Sequence, residues 1–116
     1  MRHTIIAALS VVLVAAYSAF TFFYIGGFTK EIETQIELAQ NNVATLQASE
    51  KIEEIYQNKR DVLLFLMNRE HINELEQNII KLKNAAMHNN TESTHRYLNL
   101  LKSSIEDIKQ QNNNIF

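Results

Sequence analysis

Acid–base or metal chemistry in this 116-residue chain would rest on four histidines and thirteen acidic residues, since cysteine is absent. His71 and Glu74 stand three apart, on one face of any helix that holds both, with Glu70 beside them. A carboxylate-bridged metal centre in a helical bundle needs Glu-x-x-His from each of two helices and two further glutamates. Here the order is reversed and a second copy is missing. His88 and His95 flank an expected turn, where histidine is ordinary surface. Glu53-Glu54, Glu74-x-Glu76 and Glu106-Asp107 lie beside apolar seams and read as solvated helix charges. The only glycines are Gly26 and Gly27, so no phosphate-cradling loop exists, and no nucleophile–base set is suggested. The expectation is a protein without catalytic, cofactor-binding or metal-ligating residues, and not an enzyme.

The elements that carry these residues begin with an uncharged run from Thr4 to Thr29. As a helix rising about 1.5 Å per residue it reaches roughly 39 Å, more than a hydrocarbon core of about 30 Å. Phe20, Phe22, Phe23, Tyr24 and Phe28 give it an aromatic end suited to a membrane–water interface. A cut after Ala16 would leave Tyr17–Ile25, which would still seek a membrane, so the run reads as an uncleaved signal anchor over residues 1–28. Its bilayer contact is residues 4–28. Arg2 on one side, against Lys30 with Glu31, Glu33 and Glu37 on the other, favours a cytoplasmic amino terminus. The protein is then a single-pass cell-membrane protein with residues 29–116 outside the cytoplasm. Gly26-Gly27 marks where the buried helix is expected to loosen.

Without Arg2 the chain carries ten basic against thirteen acidic side chains. This balance argues against nucleic acid and against an anionic lipid surface, both of which favour clustered positive charge. No proline occurs, and glutamate, glutamine, lysine, asparagine, leucine and isoleucine dominate, which predicts an all-α fold. Paired asparagines, Asn41-Asn42 and Asn89-Asn90, read as turn markers because asparagine tolerates left-handed backbone.

Helical spacing predicts four segments beyond the membrane, at about Lys30–Gln40 (continuous with the anchor), Val43–Met67, His71–Met87 and Thr91–Gln111. Their seams are Ile52, Ile55, Tyr56, Val62, Leu63, Leu66; Ile72, Leu75, Ile79, Leu82, Ala86; and Tyr97, Leu98, Leu101, Ile105, Ile108. Breaks are expected at Asn68-Arg69-Glu70 and before Thr91, the expected N-cap of the last helix. Short turns make neighbours antiparallel, giving a small helical hairpin bundle with coiled-coil-like seams. The rival is one helix from membrane to Met67, because Ile32, Ile36, Ala39, Val43 and Leu46 keep heptad phase through Asn41-Asn42.

Tyr56, Phe65 and Tyr97 sit on or near the seams and are expected to fill the core. A sharper reading makes Leu63, Leu64, Phe65, Leu66 and Met67 a partner-binding strip, since this fully apolar run keeps no polar face.

The stretch Leu64-Phe65-Leu66-Met67-Asn68-Arg69-Glu70-His71-Ile72-Asn73-Glu74-Leu75-Glu76, then Ile79–Lys83, and the ending Asn114-Ile115-Phe116 resemble a bacterial domain-of-unknown-function family, numbered forty-three sixty-three. The resemblance covers nearly the whole chain. It implies one amino-terminal membrane helix, a helical outer part of this length, and a cell membrane of spore-forming Gram-positive bacteria. Tyr56 and Val62 stand where the family typically has tryptophan, and Asn68-Arg69 where it typically has Asp-His. The resemblance brings no activity, substrate or partner. The expected function is a membrane-anchored, non-catalytic interaction or scaffold module meeting a protein partner or a second copy of itself. The alternative is a minimal ligand-sensing four-helix ectodomain acting as a homodimer, against which stands the short tail Met1-Arg2-His3.

Overall fold

The computed structural model describes residues 2–41 and 45–113. They form four helices, α1 Arg2–Gln40, α2 Thr45–Leu66, α3 Arg69–Met87 and α4 Thr91–Asn113, and no strand occurs among them. The fold is all-α. Val43, the expected start of the second helix, and the terminal Asn114-Ile115-Phe116 lie outside the described residues.

Each helix boundary has a local cause. At the end of α1 the Asn41 amide donates to the Glu37 carbonyl at 3.1 Å. The single-helix rival fails here, because α1 ends at Gln40 and α2 starts at Thr45. Leu46 is partly exposed whereas Ala48, Ser49 and Ile52 are buried, so the heptad phase carried by Ile32, Ile36 and Ala39 does not continue. Asn68 caps α3, its backbone extended and its side chain accepting from the Glu70 amide at 2.9 Å.

The α3–α4 turn is a Schellman motif. Asn89 is left-handed (φ 53°), the Asn90 amide donates to the Ala85 carbonyl, and the Asn89 amide to Ala86. Asn90 then caps α4, its Oδ1 accepting from the Ser93 amide at 3.1 Å. The expected cap, Thr91, is instead the first residue inside the helix, since Asn90 closes one helix and opens the next.

α1 passes through Gly26-Gly27 unbroken, so the expected loosening does not occur. Two glycines cost a helix about 1 kcal/mol each relative to alanine. Ile25 and Phe28, both buried, hold the segment on either side.

Packing joins α1 to α2, α2 to α3, α3 to α4 and α4 back to α1. Paired residues rise along one helix as they fall along the next. Tyr17 and Glu31 of α1 meet Phe65 and Lys59 of α2. Glu53 and Arg60 of α2 meet Lys83 and Glu76 of α3, and His71 and Asn78 of α3 meet Gln111 and Ser104 of α4. Phe22 and Glu33 of α1 meet Asn112 and Lys109 of α4.

The core is the set of seams. Phe28, Ile32, Ile52, Tyr56, Leu63, Ile72, Leu75, Ile79, Leu82, Leu98, Leu101 and Ile105 are fully buried. Removing each from water contributes about 1.5–3 kcal/mol. Tyr56 fills the core as expected, Tyr97 packs against it half-buried, and Phe65 does not enter it. α1 is divided along its length. Residues 2–17 are exposed all round, and burial starts with Thr21, continuing through Ile25, Phe28, Thr29, Ile32, Ile36 and Ala39. α1 alone among the described helices is long and apolar enough to cross a membrane.

Candidate functional site

The apolar strip Leu63–Met67 closes α2 and leads into the turn at Asn68. Helical rotation separates its members. Leu63 is fully buried, Leu64, Leu66 and Met67 rest half-buried against the core, and Phe65 points outward at 76% exposure. The Phe65 ring meets Tyr17 of α1 edge-on, centroids 6.3 Å apart at 77°. Phe20 stacks obliquely on Tyr24 at 5.6 Å, and Phe22 meets Phe23 edge-on at 5.5 Å. One end of the bundle therefore carries an aromatic collar contributed by α1 and the close of α2.

Polar groups lie just above this collar. Asn112, 5% exposed, donates from Nδ2 to the Phe22 carbonyl at 3.1 Å. His71 Nε2 lies 3.2 Å from Gln111 Nε2, and Asn68, Arg69 and Glu70 are exposed at the turn. His71 thus pairs with an amide of α4 and not with Glu74.

Four carboxylates serve as interhelical struts. Glu31–Lys59 (3.2 Å), Glu33–Lys109 (2.9 Å), Glu53–Lys83 (3.2 Å) and Arg60–Glu76 (3.4 Å) each join adjacent helices. The hydrogen bond from Lys109 to Glu33, reinforced by the carboxylate's charge, raises the amine above its ordinary value. Burial raises the Tyr56 phenol, the Glu76 charge adds to this, and Arg60 opposes it. The Tyr56 hydroxyl is buried, with Arg60 beside it. Among the described residues no three His, Asp or Glu side chains gather so as to hold a metal ion. His88 Nδ1 lies 2.7 Å from the carbonyl of Asn84 in its own helix. The carboxylates and histidines with described partners are thus engaged in single contacts spread along the bundle.

An open groove of about 350 Å³ runs between α1 and α2, edged by Glu31, Gln35, Lys51, Glu54, Asn58 and Lys59.

Sequence reasoning did not find the Asn112–Phe22 bond, the struts or the Tyr17–Phe65 contact. A signal for the first exists. Asn112 continues the seam Leu101, Ile105, Ile108 by one helical step, and a polar residue on a seam calls for a buried partner.

A family model described as Domain of unknown function (DUF4363) matches residues 20–115. No curated protein matches the chain, and no solved structure does.

Proposed function

This chain belongs to the DUF4363 family, and on that premise we propose that it is a single-pass membrane protein displaying a non-catalytic helical interaction module. α1 crosses the bilayer, its amino terminus in the cytoplasm, and the four helices form an up-down-up-down hairpin bundle on the far side. The opposed numbering of the interhelical pairs supports the hairpin reading. Arg2 against the Lys30–Glu37 flank supports the orientation.

The observation that carries the reading is the division of α1. One continuous helix has an apolar half exposed on all sides and a second half built into the core. An all-round apolar surface is stable only against lipid or protein. The bundle it holds has a closed core and charges engaged in struts. Such a body can present helix faces to another protein, which is how helical modules recognise partners. Ile80 of α3 and Leu100 of α4 are apolar side chains exposed on the bundle's flank.

The test is photo-crosslinking of the full chain in its native membrane, with the probe at position 80 or 100 in turn. A heavier band containing one distinct protein supports the module and names its partner. Probes that crosslink nothing at any position, in a chain still folded and membrane-bound, overturn it.

The open groove between α1 and α2 favours a second reading, a homodimeric ectodomain that senses a small ligand. A self-dimer band from the same experiment would move weight to it.

A further inference from the structure

The bundle begins too early along α1 for a bilayer to stop short of it. Within the uncharged run, residues 4–17 are the fourteen that no other helix touches closely enough to bury. Fourteen residues of helix span about 21 Å, and the hydrocarbon core is about 30 Å thick. About 9 Å of hydrocarbon must therefore be matched by the next turn and a half of α1, residues 18–23. That stretch includes Thr21 and Phe22, where the bundle is already packed and where Asn112 ties α4 to α1. The base of the bundle has to enter the membrane with it.

What the base displays there is apolar. Phe65 lies against Tyr17, about 7.5 Å below the level of Phe22 by helical rise. Phe20 and Phe23 of α1 are exposed at 53% and 74%, and Phe65 at 76%. In a soluble monomer such side chains would be left in water. Asn68, Arg69 and Glu70 follow Phe65 after Leu66-Met67 and are exposed, so a polar rim adjoins the aromatic group. Aromatic rings with a long basic side chain beside them are the composition of the headgroup boundary.

We propose that the α2–α3 corner is a second membrane contact, in which Phe65 inserts beside Tyr17 into the outer acyl region, about 9 Å below the headgroup boundary by helical rise, while Arg69 reaches back toward water. This assignment rests on the reading of α1 as a membrane span. The occupant is lipid and not a protein partner, because the same helix that crosses the bilayer fixes the depth of Phe65. It requires no anionic lipid, in keeping with an acidic chain. The corner would clamp the bundle to the membrane at two points, setting its rotation about α1.

The chain contains no tryptophan, so each introduced one is a sole reporter. Phe65→Trp, Val12→Trp and Met87→Trp, all at exposed positions, are reconstituted separately in phosphatidylcholine vesicles with brominated acyl chains. Bromine quenches only what touches the chains. The expected result is loss of most emission from F65W and V12W, with M87W, at the far end of α3, unchanged and quenched by aqueous iodide. Iodide quenching of F65W with bromolipid quenching of V12W would overturn the insertion and leave the span intact. F65W shielded from both quenchers would put a protein over Phe65 and also overturn it. V12W untouched by bromolipid would instead overturn the span, and the insertion with it.

Discussion

Asn112 donates from Nδ2 to the main-chain carbonyl of Phe22 at 3.1 Å, across 90 residues of sequence. The bond ties the last turn of α4 to α1 where the bundle meets the apolar run. Asn112→Ala should lower stability by about 1 kcal/mol, the net worth of one such hydrogen bond. The loss should be local. Hydrogen exchange in micelles should quicken over the last turn of α4 while the α3 seam keeps its protection.

Leu63 and Phe65 are two residues apart in one strip but have opposite environments. Leu63→Ala should cost about 2–5 kcal/mol, as deletion in a closed core does. Phe65→Ala should change stability in detergent by no more than about 0.5 kcal/mol, the range for surface substitutions. Paired denaturation curves check this, and a large cost at Phe65 would contradict its exposure.

A Cβ added at Gly26 or Gly27 meets no atom within 4 Å, and neither residue has positive φ. Gly26→Ala and Gly27→Ala should each raise stability by about 0.5–1 kcal/mol through helix propensity. Thermal melts of the two variants should show both midpoints rising.

Asn89 holds the left-handed position of the α3–α4 turn. Asn89→Gly should be neutral or slightly stabilising, whereas Asn89→Val should cost about 1–2 kcal/mol, because a β-branched side chain is disfavoured in that conformation and asparagine is tolerated. Comparison of the two melting curves isolates backbone strain from the loss of a side chain.

The Tyr56 phenol is raised by burial and by the charge of Glu76. A group raised in the folded state contributes its stability fully below its unfolded value, about 10 for tyrosine. It loses that contribution as pH climbs through the folded value. Stability should therefore fall in alkali, with tyrosinate absorbance from Tyr56 appearing at higher pH than that of an exposed tyrosine. Tyr56→Phe should remove this alkaline component.

The seams were readable because period and burial agree: Ile72, Leu75, Ile79, Leu82 and Ala86 are all buried. Turns were readable where asparagine does something leucine cannot, as at Asn68 and Asn89. Thr91 misled because two capping residues stand side by side and only the geometry of the preceding turn selects Asn90. Gly26-Gly27 misled because propensity is small beside the packing of Ile25 and Phe28. The outward turn of Phe65 was hidden by composition. A run with no polar member gives no sign of which residue faces out. The struts depend on interhelical register, which Glu33 and Lys109, seventy-six positions apart, do not encode locally.

On the proposed reading α1 is both span and one of the four walls, and its helix is continuous, so no hinge separates anchor from load. A helix crossing with the usual tilt of about 20° carries its far end, some nineteen residues beyond Thr21, about 10 Å sideways. Thicker or thinner bilayers change that tilt. On that reading the bundle is a pointer whose bearing is set by the membrane's thickness.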